Sequence, residues 1–487
     1  MTEATAVLRY SVRPAVVARY LGQLALVQGA LGLVPLAVAL AQGEGRFAAR
    51  LAVVVVLLVG AGLAAARLPP VSRLQTNEGL VVAALAFTLA PLLMVWPMTS
   101  ERISTLDALF ESVSGLTTTG LTTLEHVAGR SATFLFTRAW LQWIGGLGVA
   151  VLAVALVLGP HADARRLTGS DTPESILTTA HVYARRVLAV YAVLTAAGVL
   201  VLWAVTGDGF DAVLHILPAI STGGFSPYDE SLAGMAHPGG PWVVTLWCLL
   251  GAVPLILYSR TVAGDPGALL RDAEVRALVV AVLTVCGLLV LAMHFRSGLP
   301  WAEALRHGAW LGASAQSTAG FSGLSVAALD PSSKLVLVVA MLVGAGVGST
   351  GGGLKLLRLL VLLRLAQYTL QRTAMPAHAV APPRLEGRAL EAGDVERAAV
   401  ALLLLLVVTL LSWAAFVAAG YPPIDGLLEV ASAVSTVGLS SGITGPDLAP
   451  GLKLLLCLDM LMGRLEIVAM LVLVYPPTWN ARRAEAA

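Results

Sequence analysis

The stretch STGGFS at residues 221–226 places hydroxyl side chains beside paired glycines in a chain that is otherwise strongly apolar. Three further stretches share its pattern: TTTGLT at 117–122, STAGFS at 317–322 and STVGLS at 435–440. In each, Ser or Thr is followed by Thr, any residue, Gly, Phe or Leu, and Ser or Thr. Because glycine interrupts a membrane helix and hydroxyls offer polar groups, the sequence predicts four equivalent loops.

The composition predicts a membrane protein with several spans. Of 487 residues, 57% are hydrophobic and 12% are charged, and the mean hydropathy is +0.83. These values exceed what a soluble core requires, and no soluble domain of useful size remains. No basic tract supports a nucleic-acid partner. The three cysteines lie in apolar runs without CxxC spacing, so neither a disulfide framework nor a zinc site is indicated.

Ten apolar runs are long enough to cross the roughly 30 Å hydrocarbon layer. We expect spanning helices at 17–42, 47–67, 79–97, 134–158, 183–206, 241–260, 275–295, 334–370 with an interruption, 397–419 and 452–475. The first run ends in Ala39, Leu40 and Ala41, which resembles a signal-peptidase site. Its length favours a retained helix.

A short, half-apolar segment lies between the two members of each of the last four pairs of spans and leads into one loop. A dozen residues rise only about 18 Å, too little to cross the membrane. Each segment has an acidic residue near its start, where a helix dipole is positive: Asp107, Asp211, Glu303 and Asp425. We therefore predict an all-α polytopic membrane protein with ten transmembrane helices and four re-entrant pore helices. Each pore helix directly precedes one of the four loops. Four pseudo-fourfold repeats of helix, pore helix and helix would surround one central pore.

These repeats divide the chain into five parts. An N-terminal two-helix membrane domain is expected at 1–75, pore repeat 1 at 76–160, pore repeat 2 at 161–262, pore repeat 3 at 263–375 and pore repeat 4 at 376–487. Of the Lys and Arg residues, 21 lie on the side of both termini, nine lie on the side of the loops, and Arg464 is intramembrane. Both termini are therefore expected in the cytoplasm, with the loops entering from outside.

The four loops have the composition of a site for a monovalent cation. A ring of backbone carbonyls and hydroxyls replaces the water around such an ion without adding fixed charge. No Asp, Glu, Lys or Arg occurs in any copy, which argues against calcium and anions. A small-residue packing motif is the alternative, but it explains one copy better than four in the same context. The predicted selectivity filter comprises Thr117, Thr118, Thr119, Gly120, Ser221, Thr222, Gly223, Gly224, Ser317, Thr318, Ala319, Gly320, Ser435, Thr436, Val437 and Gly438.

Together with QWIGGLGV at 142–149, GSTGGGLKLLR at 348–358 and MLMGRLE at 460–466, the loops resemble the TrkH branch of the Trk, Ktr and HKT superfamily of potassium transporters. The resemblance covers nearly the whole chain, including two N-terminal helices typical of that branch. In this family, glycine at the fourth filter position of every repeat goes with potassium preference, whereas serine in the first repeat goes with sodium. Gly120 therefore implies potassium as the transported ion.

A glycine-rich segment interrupts the second helix of the third repeat. Residues 344–353, GAGVGSTGGG, contain six glycines, each less favourable in a helix than alanine by about 1 kcal/mol. We expect a flexible loop below the filter that acts as a gate, as the resemblance also implies; a passive kink is the alternative. The predicted gate residues are Gly344, Gly346, Gly348, Ser349, Thr350, Gly351, Gly352, Gly353, Lys355 and Arg464.

Two of these residues are cations. Arg464 lies near the middle of the last apolar run, where a charge usually faces a cavity. The resemblance implies an electrostatic barrier at Arg464, and an ion pair with Asp459 or Glu466 is the alternative. Lys355 either lines the cytoplasmic mouth or extends to the membrane surface.

Several polar residues near the loops have two interpretations. Glu111 and His215, in the short segments, either contact solvent or support the filter with hydrogen bonds from behind. In the stretch around Gln142 and Trp143, three glycines are expected to allow close helix packing: Gly145, Gly146 and Gly148.

The predicted function is potassium uptake across a bacterial-type inner membrane, with K⁺ as the transported ion and no organic cofactor. The resemblance implies a homodimer with a TrkA-type cytosolic nucleotide-binding subunit, for which the basic stretch 354–397 offers a docking surface; membrane lipid is the other expected partner. A sodium-permeable transporter, or a symporter for another solute with inverted repeats, is the alternative. No HExxH or GxSxG motif supports an intramembrane enzyme.

Overall fold

The computed structural model describes residues 11–69, 74–157, 173–262, 264–376 and 382–480. These residues are mostly helical. The helices are α1 Pro14–Ala41, α2 Gly45–Ala66, α3 Thr76–Met98, α4 Thr105–Leu116, α5 Ala132–Val157, α6 Pro173–Thr206, α7 Gly209–Ile220, α8 Gly240–Ala252, α9 Leu255–Val262, α10 Ala268–Arg271, α11 Ala273–Phe295, α12 Trp301–Gln316, α13 Pro331–Val343, α14 Leu356–Arg372, α15 Ala392–Ala418, α16 Pro423–Val434, α17 Pro450–Arg464, α18 Val468–Val474 and α19 Pro476–Asn480.

The remaining regular structure is small. Single 3₁₀ turns occur at Thr99–Glu101, Ser231–Gly234 and Val326–Ala328. Strands β1 Arg384–Leu385 and β2 Arg388–Ala389 form a short antiparallel hairpin, with Arg384 opposite Ala389.

Seven of the described helices are long and apolar enough to cross a membrane: α1, α2, α3, α5, α6, α11 and α15. An eighth span is present if α8 and α9, which meet at a 90° bend, count as one. The other two predicted spans, 334–370 and 452–475, are each divided, the first between α13 and α14 and the second between α17 and α18. The chain is thus a helical, multi-pass membrane protein.

Four short helices, α4, α7, α12 and α16, lie inside this assembly. Their C-terminal halves are buried, as at Ser112–Leu116 in α4 and at 430–434 in α16. Side chains fix two of their starts, because Ser104 accepts a hydrogen bond from the Asp107 amide and Asp208 accepts from the amides of Phe210 and Asp211. Longer helices pack around the short ones, so that the four loops following them are held in the protein interior.

The N-terminal helix pair packs closely through small residues. A Cβ atom added to Gly22 would lie 2.2 Å from the Cβ of Ala65, so the two backbones approach where side chains are smallest. The described residues nearest the two termini also meet, because the Val12 amide donates to the Thr478 carbonyl at 2.9 Å. The predicted cytoplasmic side of the termini depends partly on Arg9, Arg73, Arg165, Arg166, Arg482 and Arg483, which lie outside the described residues.

Candidate ion-binding site

Each of the four short helices ends in the same backbone arrangement. The second-position threonine of every loop has a positive φ: 53° at Thr118, 52° at Thr222, 58° at Thr318 and 51° at Thr436. Its amide donates to the carbonyl three residues earlier at 3.0–3.2 Å, and the next amide donates to the carbonyl five residues earlier at 2.8–2.9 Å. This is the Schellman arrangement that satisfies the last carbonyls of a helix. Glycine normally occupies the left-handed position, and a β-branched residue there costs on the order of 1–3 kcal/mol.

The fourth-position glycines join the loops into a ring. Gly120 has a φ of +91°, and a Cβ atom added to it would lie 2.2 Å from the carbonyl oxygen of Gly223 in the next loop. The other three contacts repeat this one: Gly224 on Ala319 O at 2.2 Å, Gly320 on Val437 O at 1.9 Å and Gly438 on Thr119 O at 2.3 Å. The last contact returns to the first loop, so the four loops form a closed cycle in which a side chain at any fourth position would collide with the backbone.

The ring is buried, uncharged and rich in oxygen. Residues at the first two positions of all four loops are fully buried. The hydroxyl oxygens of Thr118, Ser435 and Thr436 have no hydrogen-bond partner among the described residues. A buried oxygen costs free energy unless a hydrogen-bond donor or a cation interacts with it. Neutral oxygens of this kind suit a monovalent cation that has lost part of its water.

Two carboxylates accept hydrogen bonds from residues at the ends of the first and fourth loops. Glu111 in α4 accepts from Thr122 Oγ1 at 2.5 Å, the Thr123 amide at 3.1 Å and Arg138 Nε at 2.8 Å. Glu429 occupies the equivalent site in α16, six residues before its loop, and accepts from Ser440 Oγ at 2.7 Å and from the Ser441 amide at 2.7 Å. Both glutamates are fully buried. They support the loops from behind rather than facing solvent.

The third loop-supporting side chain is a histidine. His215 in α7 lies six residues before its loop, and its Nε2 is 3.4 Å from Ser226 Oγ while its Nδ1 is 3.0 Å from the Asp211 carbonyl. In α12 the equivalent residue is Leu311, so the support differs among the four units. Of these residues, sequence reasoning missed Glu429. Aligning the four short helices by their distance from the loops would have found it.

Gln142 in α5 also contacts the ring directly. Its Nε2 donates to the Gly223 carbonyl at 2.5 Å and its Oε1 accepts from the Phe225 amide at 3.1 Å. Gly145 has the close packing that we expected of this stretch, because an added Cβ would lie 1.9 Å from the Leu116 carbonyl oxygen. Gln142 itself holds the second loop in place, which its position on a spanning helix did not reveal.

The glycine-rich loop between α13 and α14 lies against one face of the ring. The Thr350 hydroxyl is 2.9 Å from the carbonyl oxygens of both Ile220 and Gly251. The Gly352 amide donates to Thr318 Oγ1 at 2.7 Å, and a Cβ atom added to Gly352 would lie 2.1 Å from the Ser435 carbonyl oxygen. This loop therefore contacts the first and second positions of the ring directly.

The predicted gate residues separate into two groups. Thr350, Gly351 and Gly352 contact the ring, whereas the Ser349 hydroxyl donates to the Gly346 carbonyl at 2.6 Å. Gly346 and Gly348 lie near the bend between α8 and α9. There the Gly346 amide donates to the Ala252 carbonyl at 3.2 Å, and the Gly348 carbonyl accepts from the Leu255 amide at 3.1 Å. Gly344 and Gly353, both with positive φ, pack against each other where the loop leaves α13 and approaches α14.

Two buried cations hold successive carbonyls of this loop. Arg464 is 4% exposed, and its Nη1 donates to the Thr350 carbonyl at 2.7 Å while its Nη2 donates to the Gly145 carbonyl at 3.2 Å. Lys355 is 7% exposed and its ammonium donates to the Gly351 carbonyl. Lys355 therefore does not extend to the membrane surface.

The alternative partners expected for Arg464 are bound elsewhere. Asp459 accepts from Ser412 Oγ at 2.8 Å, and Glu466 pairs with Arg358. Both cations therefore lie next to the glycine-rich loop, and neither is neutralised there by a carboxylate within salt-bridge distance in the described part of the chain.

Comparison with known proteins identifies the family. The family model for TrkH, described as a cation transport protein, matches residues 46–478. The chain is 31% identical over 410 residues to the Trk system potassium uptake protein TrkI of Halomonas elongata, covering 82% of each chain. It is 30% identical over 391 residues to the Trk system potassium uptake protein TrkH of Escherichia coli K12, covering 78% of this chain and 81% of the relative.

Comparison with solved structures supports the same family assignment. The crystal structure of the potassium transporter TrkH from Vibrio parahaemolyticus superimposes with a TM-score of 0.84 at 26% sequence identity, covering 96% of this chain and 99% of the other. The resemblance inferred from the sequence motifs is confirmed, and the protein is a membrane transporter rather than an enzyme. The chain belongs to the TrkH family of cation transport proteins.

Proposed function

We propose that this protein takes up K⁺ across a bacterial inner membrane and that the ring of four loops is its selectivity filter. The observation that carries the proposal is the closed cycle of glycine–carbonyl contacts, which brings four neutral loops to one axis. The relatives named as potassium uptake proteins support the choice of ion. In this proposal the three divided runs count as spans, which gives ten, and α4, α7, α12 and α16 are re-entrant pore helices of four repeats.

Selection follows from the shape of the ring. Carbonyl and hydroxyl oxygens replace the water around K⁺, and their neutrality leaves binding weak enough for release. The glycines set the spacing, because each allows the carbonyl of the next loop to approach within a distance that no side chain tolerates. The strained threonines keep their carbonyls in a direction that an ordinary helix end would not provide.

The glycine-rich loop is the proposed gate, in a closed state. Thr350, Gly351 and Gly352 fill the space against the inner face of the ring. The guanidinium of Arg464 and the ammonium of Lys355 add two positive charges next to the exit. A cation that leaves the ring therefore meets both a backbone obstruction and like charge, and conduction requires this loop to move.

Control is proposed to come from the cytoplasm. The loop continues into α14, whose sequence is basic, so a movement of α14 pulls on the gate. The basic stretch 354–397 would dock a TrkA-type nucleotide-binding subunit on a homodimer of this chain, with both termini in the cytoplasm and lipid around the outer helices.

Ion flux into proteoliposomes tests the filter. We expect K⁺ and Rb⁺ to enter much faster than Na⁺ and Li⁺, and Gly224→Ser to reduce this preference. Gly43→Ser is the matched control, because Gly43 also has a positive φ, of +70°, but an added Cβ there would meet nothing within 4 Å. Equal K⁺ and Na⁺ rates in the unmutated protein would favour a sodium-permeable transporter, and no flux of any alkali cation would favour a symporter for another solute.

A further inference from the structure

A single carboxylate oxygen joins both arms of the glycine-rich loop to a neighbouring helix. Oε1 of Glu274, in the first turn of α11, accepts from the Val347 amide at 2.9 Å and from the Leu357 amide at 3.1 Å. Val347 lies in the arm that leaves α13, and Leu357 lies in the first turn of α14. The same oxygen therefore fixes the segment on both sides of the residues that contact the ring.

The second hydrogen bond completes the start of α14. Lys355 precedes this helix and provides no side-chain cap. The first amides of a helix lack partners within the helix, and an anion near them is stabilising. Glu274 supplies a carboxyl oxygen to the Leu357 amide from another helix, so the position of α14 is tied to α11 and not only to the loop before it.

Apolar contacts near Glu274 also join α11 to both arms of the glycine-rich loop. Leu278, one turn after Glu274, belongs to a small buried cluster with Ala252, Ala345 and Leu356. Ala345 is in the leaving arm of the loop and Leu356 begins α14. The cytoplasmic end of α11 is thus the wall against which both arms pack, and Glu274 is its polar contact.

We propose that Glu274 is a positioning residue for the gate, and that its carboxylate holds the glycine-rich loop and α14 in the closed arrangement. The inference rests on the proposed gating role of this loop. Swinging α14 away requires the Leu357–Glu274 bond to break, while the positive φ of Gly353, +73°, and of Lys355, +78°, places the backbone bend between the ring and α14. Opening is thus opposed by the hydrogen bond between the Leu357 amide and Glu274 at the base of the moving helix.

The test compares basal K⁺ flux of Glu274→Ala and Glu274→Gln in proteoliposomes without any regulatory subunit. Loss of both hydrogen bonds to Glu274 shifts a two-state equilibrium by about tenfold. We therefore expect about a tenfold rise in basal flux for Glu274→Ala and a smaller rise for Glu274→Gln, because the glutamine amide keeps an acceptor oxygen for the Val347 and Leu357 amides. Asp265→Asn, which removes an exposed carboxylate paired with Arg271 before α11, should leave flux unchanged.

A second readout separates positioning from general damage. With the substitution Val347→Cys, position 347 should react faster with a charged thiol reagent in the Glu274→Ala background than in the unmutated background; the protein without Val347→Cys is the blank. Deletion of residues 346–352 distinguishes the gating role of the glycine-rich loop from the positioning role of Glu274. If the deletion raises flux and Glu274→Ala changes neither flux nor thiol reactivity, the role of Glu274 is wrong; if the deletion fails to raise flux in folded protein, the gate itself is wrong.

Discussion

Replacing Gly320 with alanine tests whether close approach of the loops determines ion selection. An added Cβ would lie 1.9 Å from the Val437 carbonyl oxygen, whereas real contacts of this kind stay beyond about 3 Å. The oxygen must therefore shift by about 1 Å, a third of its distance to a bound cation. The positive φ of +80° adds about 1–2 kcal/mol of backbone strain. We expect K⁺ flux to fall at least about tenfold and the preference for K⁺ over Na⁺ to decrease, because one of four carbonyls leaves its place.

Gly129→Ala separates strain from contact. Gly129 has nearly the same φ, +82°, but an added Cβ there would meet nothing within 4 Å. Both variants should lose about 1–2 kcal/mol of stability from backbone strain, and only Gly320→Ala should lose K⁺ flux and selectivity. The assay is K⁺ and Na⁺ uptake into proteoliposomes, with thermal unfolding in detergent measured alongside. Normal selectivity in a folded Gly320→Ala protein would refute the reasoning.

Three further predictions concern the residues around the ring. Arg464→Met should raise basal K⁺ flux several-fold, because it removes a positive charge and the donor to the Thr350 carbonyl; an unchanged or lower flux in folded protein would contradict the barrier role. Glu429→Leu should lower the stability by at least about 2–3 kcal/mol, visible as a lower unfolding temperature, because the Ser440 and Ser441 donors lose their buried charged acceptor. At Asp229, in the loop after the second filter stretch, burial opposes ionisation, but the amides of Ala128 and Val127 outweigh it and hold the pKa below its ordinary value of 3.8. Its stabilising effect should therefore be complete above that pH and be lost as pH falls through the lower folded pKa, and Asp229→Asn should flatten this acid side of the unfolding-temperature profile.

The sequence was sufficient to place the loops and the helices around them. The alternation of long apolar runs with short segments predicts where α4, α7, α12 and α16 lie, since a dozen residues cannot cross the membrane. The six glycines at 344–353 predict the break after α13, because their cost in a helix accumulates. These features depend on local propensity and hydropathy, which are properties of consecutive residues.

Contacts between the units needed coordinates. The acidic residues Asp107 and Asp425 were expected at helix starts for the sake of the dipole, but each also binds a lysine from the helix of another unit. Lys453 lies 2.6 Å from Asp107, and Lys334 lies 2.7 Å from Asp425. Neither spacing in the sequence nor charge pattern identifies such partners, and the same is true of Glu274 and the loop that it holds.

The order of the loops in the ring is likewise a property of the fold. Each glycine contacts the next loop along the chain, and the fourth contacts the first. The shared pattern TxG predicts that the loops are equivalent, but it does not specify which neighbour each one contacts. Closure depends on how the longer helices pack around the short ones, which no single repeat encodes.

The location of a bound ion tests the central claim most directly. Anomalous diffraction from crystals soaked in Tl⁺ or Rb⁺ should place an ion inside the ring, about 3 Å from one backbone carbonyl oxygen of each of the four loops. Strong anomalous peaks confined to other parts of the protein, with none among these four oxygens, would contradict it.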